Sequence, residues 1–197
     1  MKMKKNREPI EIPKTSEIEQ VYRQASYRKR LMEAIRSTVF MLIVVAAFAV
    51  LIAVLFLPIL RIYGKSMHGT LDSGDIVLSV KSSNFDTGDV VAFYYNNNIL
   101  VKRVIAEAGD WVDMDDDGTV YVNEVKLVEP YITEKAYGET DITFPYQVPE
   151  NRIFVMGDNR EVSIDSRNTS IGTVSDEQIV GRLIFKIWPL QEIGTIK

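Results

Sequence analysis

The chain has 197 residues, of which 46% are apolar and 25% charged, and a formal net charge of −4. That length suits one globular domain with an accessory segment, and the proportions are ordinary for a folded protein. It contains no cysteine, which excludes disulfides, thiolate catalysis and cysteine-based metal sites, and its charge asymmetry, with the basic cluster confined to the N-terminal segment, argues against a nucleic-acid partner.

Residues 1–37 carry ten Lys/Arg against five Asp/Glu, a net of +5, so the remainder carries −9. Pro9 and Pro13 discourage helix at the start, whereas Ser16 to Ile35 is built of good helix formers. Residues 38–60 follow, a 23-residue stretch without a charged side chain, Asn, Gln or His. At about 1.5 Å per residue such a helix spans a roughly 30 Å hydrocarbon layer. The stretch is longer than a cleaved signal's apolar core, and the bulky Leu57-Pro58-Ile59-Leu60 gives a poor cleavage site. It reads as an uncleaved transmembrane anchor, with Pro58 near its outer end. Arg28, Lys29, Arg30 and Arg36 cluster just before it, which predicts a cytoplasmic N-terminus and an extracytoplasmic domain over 61–197.

Beyond residue 61 the punctuation is that of a β protein. Runs at 75–80, 89–95 and 99–105 are short and rich in β-branched and aromatic residues, and Asn96-Asn97-Asn98 predicts a hairpin turn. A second hairpin is expected over 111–122 around Asp115-Asp116-Asp117-Gly118, with a turn at Asn123-Glu124 and two later strands at 153–156 and 181–188. The acidic stretch 113–117 lacks the spacing of a calcium loop and reads as an exposed hairpin tip. The expected fold is mainly β: an antiparallel β-barrel or folded-sheet domain tethered by one N-terminal transmembrane helix.

Three segments hold residues with chemistry. Ser66 lies just beyond the anchor in Gly64-Lys65-Ser66-Met67-His68-Gly69-Thr70-Leu71. A serine hydroxyl needs a base. His68, the sole histidine, shares a strand face with Ser66, but a base usually arrives from a separate segment. Lys102 is the other candidate, because it interrupts the apolar run Ile99 to Ile105 and burial lowers a lysine's pKa. Pairing with a carboxylate is the alternative explanation of such a lysine. The third segment, Gly157-Asp158-Asn159-Arg160 and Ser163-Ile164-Asp165-Ser166-Arg167, packs hydroxyls, carboxylates and guanidinium groups into a turn.

Five blocks follow one another over roughly residues 38–190 with no large insertion. They are the anchor, Gly-x-Ser-Met-x-x-Thr-Leu, Gly88-Asp89 with two apolar residues after it, Lys102-Arg103-Val104-Ile105-Ala106, and Gly-Asp-Asn-Arg-x-x-Ser-x-Asp-Ser-Arg. This pattern resembles type I signal peptidases, in the short single-span branch found in Gram-positive bacteria. The resemblance implies a membrane-anchored serine endopeptidase that removes signal peptides from exported preproteins after small residues at −1 and −3. It implies Ser66 as nucleophile, Lys102 as general base, and Ser163, Asp165, Arg167 and Asp158 as supports. Ile62, Met67, Leu71 and Val101 would line the substrate pockets, with the peptide extended beside Ile62 to Ser66 and near Asp86. The implied partners are signal peptides and the lipid bilayer; no metal or cofactor is implied, and the oligomeric state is left open. Gly69 and Ala108 stand where the family usually has proline, which is expected to loosen both turns. Two other readings compete: a self-cleaving repressor-type Ser-Lys protease, for which an anchor is out of place, and a non-catalytic assembly factor or chaperone for surface proteins or pili.

Overall fold

The computed structural model describes residues 15–82 and 84–196. The opening segment with Pro9 and Pro13 lies outside the described residues. Two compact units divide near residue 52.

The first unit is helical. Helix α1 runs Thr15–Phe56, so the basic stretch and the apolar stretch form one continuous helix. Its Tyr22–Ile52 portion is long and apolar enough to cross a membrane. The helix stops at Phe56, four residues short of the expected boundary at 60. Pro58 explains this, because its ring disfavours helix in the preceding residue, and the chain enters strand β1 (Ile59–Arg61) at once.

The second unit is antiparallel throughout. One sheet contains β1, β2 (Ile76–Val80), β3 (Val90–Tyr95), β4 (Asn98–Ala106), β9 (Arg152–Met156), β10 (Val174–Ser175), β11 (Ile179–Trp188) and β12 (Gly194–Thr195). Its order is β1-β2-β11-β3-β4-β9-β10, with β12 paired to β11. A smaller sheet is built from β5 (Trp111–Met114), β6 (Val120–Val122), β7 (Val125–Lys126) and β8 (Tyr146–Gln147), in the order β7-β6-β5-β8. The mainly β, folded-sheet architecture expected from the strand pattern is therefore present. The two-residue β3–β4 turn at Asn96-Asn97 closes on a Tyr95–Asn98 pair, with Asn96 in the left-handed region that asparagine tolerates.

Strand β4 organises the larger sheet because both its faces are buried beyond Val101. One face carries Leu100 and Val104, packed with Val91, Phe93 and Val155. The other carries Val101 toward a cluster of Ile62, Met67, Leu71, Val77, Val90 and Ala92. Ile105 and Ala106 join a third cluster with Phe154, Met156 and residues of the smaller sheet. Burial on both faces explains why this strand reads as a continuous apolar run, and why a lysine and an arginine inside it are costly.

Candidate active site

Ser66 sits in the tight turn between β1 and β2. Bonds from His68 N–H to the Lys65 carbonyl and from Leu71 N–H to the Met67 carbonyl wind the segment, while Met67 and Leu71 are buried in the core beneath it. The apolar anchors fix the turn and leave Ser66 half-exposed. Ser66 lines a groove of about 630 Å³ with Ile62, Gly64 and Met67 on one wall and Asn97 to Val101 on the other. Three of the four residues expected to shape substrate pockets, Ile62, Met67 and Val101, line this groove. Leu71 does not: it is a core residue below the turn. Asp86 is also elsewhere, in a turn closed by Asp89, so the groove's second wall is the β3–β4 hairpin and the start of β4.

Lys102 is only 3% exposed and belongs to no ion pair among the described residues. Its cross-strand partner is Val91, so its stem shares the face of Leu100 and Val104. Burial there lowers the ammonium pKa to about 8. Asp165 pulls it back up, Arg167 pushes it down, and Asp158 pulls it up more weakly.

Gly157 brings the three segments together. Gly157 follows Met156, the last β9 residue paired with β4, whose partner Arg103 is the residue after Lys102. A Cβ on Gly157 would fall 2.2 Å from Ser163 Oγ and 2.5 Å from the Ser66 carbonyl oxygen. The hydroxyl of Ser163 and the backbone of Ser66 therefore fill the space that a side chain on Gly157 would take. Asn159 N–H donates to the same Ser66 carbonyl at 3.0 Å, which ties the nucleophile turn to the third segment.

Two buried carboxylate–guanidinium pairs hold this arrangement. Arg103 donates Nε and Nη2 to Asp158 at 2.9 and 2.7 Å, and Nη1 to the Gly88 carbonyl at 2.7 Å. Thr70 Oγ1 donates to Asp158 at 2.6 Å, and the Tyr131 ring centre lies 3.8 Å from the Arg103 guanidinium carbon. Asp165 accepts from Arg167 Nε and Nη2 at 2.8 and 2.9 Å, and from the Gly157 N–H at 2.9 Å. Bidentate pairs of this kind fix direction as well as charge. Arg160 pairs with the buried Glu129 and donates to the Gly157 carbonyl. Ser163 Oγ is buried with no hydrogen-bond partner, an exception among buried polar groups.

His68 takes a different place. Its Nδ1 meets Asp72 Oδ1 at 2.5 Å, its side chain is 65% exposed, and it does not line the Ser66 groove. Gly69 adopts φ +102°, which proline cannot, so the turn differs in conformation from a proline-bearing one; it is not merely looser. Ala108 lies in the Glu107–Asp110 turn just before Gly109 at φ +89°, a position that suits proline.

Sequence reasoning passed over Arg103, Thr70, Glu129 and Tyr131. Arg103 offered the same signal as Lys102, a cation in an apolar run, whereas Glu129 and Tyr131 lie in a loop with no local pattern.

Known proteins are similar to this chain. Residues 32–188 match the family profile described as signal peptidase, peptidase S26. The chain belongs to that family. Signal peptidase IB of Staphylococcus aureus is 38% identical over 151 residues, covering 66% of this chain and 78% of that protein. Thylakoidal processing peptidase 1 of Arabidopsis thaliana is 36% identical over 171 residues, covering 76% of this chain. The chain spans about half of that relative's length, 48%. A crystal structure of a signal peptidase I from Enterococcus faecalis is 32% identical, with a TM-score of 0.43, covering 51% of this chain and 97% of that one.

Proposed function

We propose that this family member is a membrane-anchored serine endopeptidase that removes N-terminal signal peptides from exported preproteins, with Ser66 as nucleophile and Lys102 as general base. The observation that carries the reading is Lys102 itself: a buried lysine without a carboxylate partner among the described residues, its pKa lowered to about 8. A structural lysine would be expected to form an ion pair; this one is poised to accept a proton near neutral pH.

Neutral Lys102 takes the proton of Ser66 Oγ as the oxygen attacks the scissile carbonyl, and the amine then protonates the departing peptide nitrogen. Water, activated by the same amine, releases the acyl-enzyme. The Ser66 N–H, which donates to no backbone carbonyl among the described residues, would stabilise the developing oxyanion. Gly64 brings no side-chain donor there. Ser163 Oγ, which has no partner in this structure, would turn to the lysine amine when substrate is bound, while Asp158, Asp165 and Arg167 hold the loop. Asn98 to Val101 of β4 lies beyond the rungs that β9 supplies, so a peptide could pair along it as an added strand. The apolar walls of Ile62, Met67 and Val101 suit small residues at −1 and −3. The basic residues ahead of the apolar stretch support a cytoplasmic N-terminus and an extracytoplasmic domain over 61–197.

Ser66→Ala is the direct test. Incubating the purified full chain with an exported preprotein should yield the processed N-terminus by mass spectrometry, and Ser66→Ala should yield none. Processing that persists in the variant would refute the nucleophile, and partner maturation that survives it would favour the chaperone reading.

Ser163→Ala separates function from stability. Because its buried hydroxyl has no partner, removing it should leave stability unchanged or raise it by about 1 kcal/mol. Cleavage should nevertheless fall by about 10- to 100-fold as the amine loses its orienting group. Thermal melts and initial rates on one preparation would check both; unchanged cleavage would remove Ser163 from the mechanism.

A further inference from the structure

We propose that a cavity on the far side of the Ser66 turn receives the first residues beyond the cut, and that it selects basic ones. This rests on the peptidase reading above. The cavity holds about 220 Å³, roughly seven water volumes, and has room for one long side chain.

Placement carries the inference. Ser66 lines the large groove, and two residues later His68 lines the small cavity. Asn159, whose N–H binds the Ser66 carbonyl, lines the small cavity too. A peptide with its leading part in the groove and its reactive carbonyl at Ser66 therefore leaves across His68. The opposite wall comes from the loop between β7 and β8, through Thr133 and Glu134. That loop rests on the turn at Gly69, with the Tyr131 carbonyl and the Thr133 methyl each 3.8 Å from the Cβ position.

The charges decide which side chain fits. Asp158 also faces the cavity, but Arg103 neutralises it. His68 is engaged by Asp72. Glu134 and Glu161 line the cavity, and neither takes part in an ion pair among the described residues. A lysine or arginine entering this space meets two free carboxylates, and an acidic residue meets like charge. Such complementarity acts on discrimination and fades with salt.

The test uses the full chain in detergent micelles and three quenched peptides with identical residues up to −1. They carry Lys-Lys, Ala-Ala or Glu-Glu at +2 and +3. The expected order of kcat/KM is Lys, Ala, Glu, with a Lys-to-Glu ratio of about tenfold at low salt that shrinks near about 0.5 M salt. Glu134→Gln combined with Glu161→Gln should bring the ratio to within about twofold of unity. A Glu124→Gln control, on the smaller sheet's turn, should leave the ratio where it was. Equal rates on all three peptides, or a ratio that survives the double variant, would overturn the subsite. If the wild type cuts none of the peptides, the peptidase reading itself fails, an outcome distinct from cutting without preference.

Discussion

Lys102→Met should abolish cleavage and, at neutral pH, make the protein more stable. Both effects have one cause. An unfolded lysine binds its proton below about 10.5, whereas the folded chain holds Lys102 neutral until the pH falls to about 8. Between those values the unfolded state carries the extra proton, so stability falls as the pH drops from 10.5 to 8 and levels off below. The gap corresponds to about 3 kcal/mol, which methionine, similar in length and uncharged, does not incur. For a domain of this size that is a rise of roughly 5–10 °C in Tm at about pH 7. Melts from about pH 7 to 10.5 should show the difference in stability between Lys102→Met and the wild type shrinking toward zero as the pH rises. Cleavage by the wild type should rise with pH to a plateau above about 8, and at about pH 7 only about a tenth of the enzyme would hold a neutral amine. A variant no more stable than the wild type would mean that the amine is solvated or paired, and the proposed base would lose its support.

Such a gain on disabling a site is the expected signature of strain kept for function. The same logic separates Lys102 from its neighbours. Arg103 and Arg167 are fully buried too, but each is answered by a bidentate carboxylate and by backbone carbonyls. Taking away one partner there strands a charge and is strongly destabilising. Lys102 has no such answer among the described residues, and it is the cation whose neutral form the proposed chemistry requires.

This contrast also marks what the sequence could convey. The strands from 75 to 105 were legible because their β-branched runs end at Asn and Gly, and Lys102 stood out against an apolar run. Strands β1, β7, β8, β10 and β12 were not foreseen: each has only two or three residues, too few for a periodicity, and their pairing depends on partners that no local pattern announces. The helix boundary was misplaced because hydropathy continues through Leu60 while proline geometry does not. The family resemblance implies a pocket role for Leu71, yet the turn's backbone bonds direct it into the core. Glu129 and Tyr131 carry no local signature at all, since their roles exist only once the loop lies against Arg160 and Arg103.

Gly157→Ala should inactivate the protein although it adds a single methyl group distant from Ser66 and Lys102 in sequence. The methyl would lie 2.2 Å from Ser163 Oγ, 2.6 Å from Ser163 Cβ and 2.5 Å from the Ser66 carbonyl oxygen. None of these is the free end of a flexible chain. The Ser163 segment is held by Asp165 and Arg167, and the Ser66 carbonyl is held by Asn159 and the wound turn. The collision therefore has to move the nucleophile turn away from β9, at about 3 kcal/mol of stability. A displacement near 1 Å between nucleophile and base is enough to lose about 100-fold in rate. Adding Ser163→Gly removes two of the three clashes and should recover much of the lost stability. It cannot restore cleavage, because the clash with the Ser66 carbonyl persists and the orienting hydroxyl is gone. Melts and cleavage rates for the single and double variants would check this. If Gly157→Ala alone melts and cleaves like the wild type, the close approach of the Ser66 and Ser163 segments at Gly157 is wrong, and the proposed pairing of Lys102 with Ser66 loses a support.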